Sequence, residues 1–299
     1  MRNFPIALFS LALCASATEA QVIYSSTGTT AADVTPTVNA FRTDLGALNP
    51  NVAGSFDTGR REINWDGVPD ARSAPNLLPA DFFNVNSPRG VVMSTPGTGF
   101  EVSANAVNPT STPIEFGNID PSYSDLFSAF SAQRIFTATG SNILDVDFFV
   151  PGTTTPAFVA GFGSIFTDVD LADTTTLTFF GVGGTALGTW SVPSTTGDET
   201  FSFLGVLFSD PIIGSVRITS GNTALAPGIS ETGAIDLVAM DDFIFGEPQA
   251  VPEPATWLLM LTGFAAIALR LRRRRSGNAR TMRIPRSAGR MTFARSAIR

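Results

Sequence analysis

Ile143-Leu144-Asp145-Val146-Asp147-Phe148-Phe149-Val150 decides the fold. Leu144, Val146, Phe148 and Val150 fall on one face of an extended chain, and Asp145 and Asp147 fall on the other. Successive side chains of a strand alternate sides, so this is a strand with one buried and one wet face. Segments of the same kind lie around it. Residues 134–139 and 157–166 read as strands, and 174–181 and 185–192 bracket Val182-Gly183-Gly184, a hairpin signal. Residues 200–208, 215–219 and 235–245 complete the series. Many strands without regular helices between them predict antiparallel sheets rather than βαβ units. Phe supplies 25 aromatic residues against 3 Trp and 2 Tyr, and Phe is first a core filler. The expected architecture over 114–248 is therefore all-β, an antiparallel β-sandwich of jelly-roll-like type.

Residues 21–113 read as loop-rich. A short helix is expected over 38–48, where Phe41, Leu45 and Leu48 keep helical spacing. Residues 60–70 read as a strand breaking into a turn at Asp66-Gly67 and Val68-Pro69. Asn64, Asp66 and Asp70 gather hard oxygens there, although the spacing is not that of an EF-hand. The alternative is turn residues around a half-buried Trp65. Leu77, Leu78, Phe82, Phe83 and Val85 ask for burial. Short strands are expected around 91–93 and 100–102, and a helical turn within 121–130.

Composition removes whole classes of chemistry. The chain has no histidine and one cysteine, Cys14. That excludes Ser-His-Asp and Cys-His nucleophiles, Cys/His zinc sites and an intrachain disulfide. Every basic side chain is arginine, and charge is strongly divided. Between residue 21 and the apolar tail, with Glu253 counted, seven arginines face 25 carboxylates, a balance of −18 against −7 for the whole chain. An acidic exterior argues against nucleic acid as a partner and suits divalent cations. Two acidic knots stand out, Asp168-Val169-Asp170-Leu171-Ala172-Asp173 and Asp241-Asp242. If the chain ends meet, as in a jelly roll, Asp168, Asp170, Asp241 and Asp242 are candidate Ca²⁺ ligands, because a divalent ion relieves the repulsion of neighbouring carboxylates. The bland alternative is solvated loop acids plus a charge that guards a strand edge. No residue pattern marks a catalytic centre. A non-catalytic, adhesive or glycan-binding module is the expectation. A secreted carboxylate-dependent glycoside hydrolase or lyase is the alternative, since two carboxylates suffice for that chemistry.

The two ends say where the protein goes. Arg2, the apolar run 4–14 and Thr18-Glu19-Ala20 before Gln21 form a signal peptide over 1–20. Lipoprotein processing at Cys14 is the rival, but Leu13 is not the small residue expected before a lipidated cysteine. At the other end, Val251-Pro252-Glu253-Pro254 runs into the uncharged stretch 255–269 and then Arg270, Arg272, Arg273, Arg274 and Arg275. The prolines block helix on their side, so a helix is expected from Ala255. A transmembrane helix over 255–271 would be roughly 25 Å long, the short end for a span. Trp257 sits where an interfacial anchor would, and Arg270 can snorkel. The arginines stay inside by the positive-inside rule, which leaves 21–248 outside and 276–299 as a basic cytoplasmic tail. A buried helix followed by a nucleic-acid-binding tail is the competing reading.

Pro252-Glu253-Pro254, a short apolar helix and an arginine block, in that order, resemble the PEP-CTERM sorting signal of Gram-negative bacteria, a tail also labelled an ice-binding protein C-terminal domain. The resemblance covers 251–275. It implies recognition by an exosortase, a membrane cysteine transpeptidase or protease that cuts near the motif. The ectodomain then reaches the cell surface or the exopolysaccharide matrix. The implied partners are thus exosortase, the membrane and exopolysaccharide. Signals of this family usually stop after the basic block, whereas residues 276–299 continue here.

Overall fold

The computed structural model describes residues 20–107, 110–250 and 256–278. The expected signal peptide (apart from Ala20), the motif 251–254 and the tail beyond 278 lie outside them. The chain forms two compact units, Met1–Val251 and Pro252–Arg299.

The first unit is antiparallel β. In chain order it runs β1 (Gln21–Gly28), α1 (Ala31–Leu45), β2 (Arg60–Ile63), β3 (Val91–Ser94), β4 (Gly99–Ala104), β5 (Arg134–Thr139) and β6 (Ile143–Phe148). It continues β7 (Ala157–Phe158), β8 (Gly161–Thr167), β9 (Thr176–Phe180), β10 (Ala186–Ser191), β11 (Phe201–Phe208), β12 (Ser215–Thr219), β13 (Ala239–Gly246) and β14 (Gln249–Ala250). One sheet has the order β1-β11-β8-β13-β5-β4, with β2 also pairing β13. A second has the order β10-β9-β12-β6-β3, and β14 pairs β7 separately.

One apolar cluster joins the two sheets. Leu144, Val146 and Phe148 of β6 meet Phe162 and Phe166 of β8, Leu204 and Val206 of β11, and Phe243 and Phe245 of β13. The alternation read at 143–150 is therefore the inward face of the second sheet. Its outward face is polar, and Arg217 of β12 grips Asp145 there through Nε and Nη2 at 2.7 and 2.8 Å. β6 stops at Phe148, and Val150 accepts and donates in a turn with Thr153 and Thr155 instead of extending the strand. At the centre, Trp65 stacks on Phe136 at 4.0 Å and donates Nε1–H to the Asp241 carbonyl at 3.0 Å. It is fully buried, not half-buried as its turn-like surroundings suggested.

The other face of the larger sheet carries α1. Val34, Val38, Phe41 and Leu45 pack on Ile165, Phe203 and Ile244. The close approach requires glycine. A Cβ on Gly163 would lie 2.9 Å from the Gly205 Cα and 3.0 Å from the Phe41 ring. The helix starts earlier than the apolar spacing predicts, because the Asp33 carboxylate accepts from both the N–H and the hydroxyl of Thr30 (2.9 and 2.7 Å) and caps it. Leu48, expected on its buried face, lies beyond the helix and is exposed. The hairpin at Val182–Gly184 joins β9 to β10, and its two glycines take φ of +67° and +79°, which side chains resist.

Arg61 of β2 is buried and fully satisfied. Nε and Nη2 meet the Glu247 carboxylate at 2.9 and 2.8 Å, and Nη1 and Nη2 donate to the carbonyls of Pro50, Val52, Pro88 and Gly54. Removing one partner of such a pair strands the other charge. Arg61→Ala is expected to lower unfolding stability by about 3–5 kcal/mol in urea titrations of the fragment 21–250. A loss below about 1 kcal/mol would show that the pair carries no such role.

The second unit contributes α2 (Thr256–Asn278), a single helix of 23 residues. No described helix is long and apolar enough to cross a membrane. The reason is visible in the sequence: the apolar part ends at Leu269, about 21 Å along the axis, and the helix then runs on through the arginine block. The side chains at 260–271 are exposed, among them Leu261, Phe264 and Leu269.

Candidate functional site

Two acidic clusters form in the first unit, and they are satisfied differently. The first grows from a bulge in β13. Met240 pairs with Phe166 and Phe243 with Ser164, so Asp241 and Asp242 together oppose Ile165. Two residues against one bend the strand and break its alternation, which lets consecutive aspartates both turn inward. The protein supplies their partners. The Ser131 N–H donates to Asp241 Oδ2 at 2.9 Å, and its hydroxyl reaches Asp241 Oδ1 and Asp242 Oδ1. Arg42 of α1 donates from Nη2 to Asp242 Oδ2 at 2.8 Å, and from Nε and the same Nη2 to the Glu62 carboxylate of β2. Burial, then the neighbouring Asp242 charge, pushes the Asp241 carboxyl far above its usual range. Burial also raises Asp242, against the pull of Asp241, Arg42 and Ser131. Asp66 rises to about 6 through burial and the charge of Asp242. Of the other loop oxygens noted at 60–70, Asn64 donates to Asp66, and Asp70 accepts from Arg134.

The second cluster lies where the two sheets are joined. Asp168 follows β8 with φ +68°, and its N–H donates to the Thr200 carbonyl just ahead of β11. Asp170 Oδ1 accepts from the Gly197 N–H at 2.8 Å, while its own N–H donates to Asp236 Oδ1 at 2.9 Å. Glu231 Oε1 accepts from the Leu237 N–H at 3.0 Å. Carboxylate oxygens of Asp168, Asp170 and Glu231 all lie within 4.8 Å of one another. Asp168 is wholly buried, and among the described residues no hydrogen-bond donor reaches either of its oxygens or Glu231 Oε2. Burial, with Glu231, Asp170 and Asp198 as neighbours, pushes Asp168 up to about 10. Burial, with Asp170 and Asp236 nearby, raises Glu231.

Of the four candidate ligands named from sequence, the structure thus brings Asp168 and Asp170 together. It places Asp241 and Asp242 outside that group, on the bulge of β13. Glu231 takes its place beside the first two. Nothing local in Ser230-Glu231-Thr232 marks it, and only the return of residues 220–238 to the same end of the unit could have pointed to it. For the tail, the sorting residues Val251, Pro252, Glu253 and Pro254 lie outside the described residues. Trp257, Arg272, Arg273, Arg274 and Arg275 are placed on α2 by backbone, and Arg270 is exposed on it.

An all-β unit ends at β14, and a sorting tail begins there. Residues 250–274 match the PEP-CTERM protein-sorting motif. The chain carries that signal, and the motif is that of exported proteins handled by an exosortase. No curated protein and no solved structure matches the chain.

The acid pair on β13 makes stability depend on pH. Asp241, Asp242 and Asp66 have raised pKa values in the fold, so the folded state holds protons that the unfolded chain releases. Their contribution is complete below the unfolded carboxylate range, about pH 4, and falls as pH rises through the folded values. Asp241→Asn keeps an acceptor for Ser131 and a donor for Asp242, imitating the protonated form. It is expected to flatten the loss of stability between about pH 4 and 7 in denaturant titrations, whereas Asp242→Asn loses the Arg42 ion pair and destabilises most at the upper end of that range, where Asp242 ionises.

Proposed function

We propose that this is an exported protein delivered by an exosortase to the cell surface or the exopolysaccharide matrix, with the all-β unit as its non-catalytic, adhesive or glycan-binding cargo. The observation that carries the reading is the sorting motif at 250–274, which starts at the last residue of β14. In this reading the two antiparallel sheets are the sandwich that is exported, and 255–271 is the span that holds the precursor in the inner membrane. The exposed apolar side chains of α2 suit lipid, and a helix short of the ~30 Å hydrocarbon core is accommodated by local thinning and by Arg270 snorkelling. Arg272–275 then stay on the cytoplasmic side. Support for a non-catalytic cargo comes from the aromatic residues. Trp65 and Tyr123 are spent on the core, and Trp190 packs on Phe179 and Phe208. A carbohydrate-processing groove more often exposes such side chains.

Mass spectrometry of the protein from its own cells reads both ends at once. The expected product starts at Gln21 and ends near Pro252–Pro254 in the surface or matrix fraction. Deleting 251–254 is expected to leave the full ectodomain attached to membrane. Recovery of the uncut chain from cytosol would overturn the reading. Retention of the released unit on the native exopolysaccharide tests the glycan role.

A further inference from the structure

We propose that Asp168, Asp170 and Glu231 bind a Ca²⁺ ion that clamps the connections between the two sheets at one rim of the unit. This stands apart from how the chain is sorted.

The argument begins with topology. Residues 168–175 lead from β8 in the larger sheet to β9 in the smaller. Residues 192–200 lead back from β10 to β11, and 220–238 lead back from β12 to β13. All three crossings meet around Asp168: Val169 accepts from the Thr195 N–H, Asp170 accepts from the Gly197 N–H, and Asp236 accepts from the Asp170 N–H. Glu231, from the third crossing, brings its carboxylate to the first.

Charge then separates this cluster from the one on β13. There, Arg42 and Ser131 answer the buried acids. Here, the charges that act most strongly on Asp168 are those of Glu231, Asp170 and Asp198, all acidic. A wholly buried carboxylate with both oxygens free of donors is costly unless a proton or a cation occupies the space it faces. Asp170 and Glu231 are only partly buried, which leaves a way in from solvent. The donor set selects the ion. It is all oxygen, in a chain without histidine, so metals that favour nitrogen or sulfur lack their preferred ligands. Oxygens within 4.8 Å of one another fit around an ion whose bonds are about 2.3–2.6 Å. Backbone amides already hold Asp170 and Glu231, and Ca²⁺ accepts varied ligand positions where Mg²⁺ demands near-octahedral ones at shorter distance. Backbone oxygens and water complete the shell. With a single cysteine in the chain, such an ion does for these crossings what a disulfide cannot.

The fragment 21–250 contains all three apolar clusters of the first compact unit and is the protein for the test. After treatment with chelator it is titrated with CaCl₂ and, separately, MgCl₂ by calorimetry, with melting followed in parallel. One Ca²⁺ per chain is expected, at a Kd of about 10⁻⁴–10⁻³ M as in extracellular modules, with Mg²⁺ much weaker. The melting temperature should climb with the logarithm of Ca²⁺ above that Kd. Asp168→Asn and Glu231→Gln should each abolish the rise, while Asp241→Asn retains it. If Asp168→Asn does not fold, Glu231→Gln and the unmodified fragment still decide. No heat and no shift up to about 10 mM Ca²⁺ would overturn the proposal and leave the carboxyls sharing a proton. A Ca²⁺ response that survives both substitutions would overturn it too.

Discussion

The buried pair of Arg61 and Glu247 organises the end of the domain. Desolvating a guanidinium and a carboxylate costs several kcal/mol per ion in general, and the site offsets this only through complete hydrogen bonding. Arg61 gives every direction of its planar fork a partner, two on Glu247 and the rest on backbone carbonyls. Glu247 also accepts from Asn49 and from the Phe56 N–H. The pair thereby gathers the loop after α1, the strand β2, the loop before β3 and the end of β13 into one knot. Without it, the carbonyls of Pro50, Val52, Gly54 and Pro88 would be left to find other donors.

Acid burial is the second constraint on this fold. An exported, acidic chain can leave most of its carboxylates in water, yet both clusters described here are inside. The β13 pair is compensated by a helix-borne arginine and a serine, and this also ties α1 to the sheet through Glu62. At the rim cluster backbone amides hold Asp170 and Glu231 instead, and the charges that act most strongly on the buried Asp168 are acidic. One domain thus holds buried acids in two ways, with an arginine on β13 and with backbone amides at the rim.

How far the residues disclose this varies with locality. The strands with a single wet face were legible, because alternation at 143–148 and the glycine turn at 183–184 are local facts. β5 and β12 run over the residues their pattern suggests. β1 was not legible: Ser25, Ser26, Thr27 and Gly28 read as loop, and only pairing with β11 makes them strand. The start of α1 was missed because apolar spacing alone set the expected helix at 38–48, although Thr30 and Asp33 carry the capping signal. Asp241-Asp242 was conspicuous as a pair, but its environment depends on a bulge that only the partner strand defines. Glu231 was silent, since long-range convergence of three crossings leaves no trace in its neighbours. The sorting motif at 250–274 was legible because it is a linear pattern that needs no fold to be read.

The position of β13 has a mechanical consequence. It lies inside its sheet, with β8, β5 and β2 as neighbours, and leads through Glu247 and the short β14–β7 ladder to the point where the tail departs. The last pairing before the tail is thus a two-residue ladder, and behind it stand the Arg61–Glu247 pair and an eight-residue strand paired on both sides. A pull on the C-terminal end of this unit would meet the shorter pairing before the longer one.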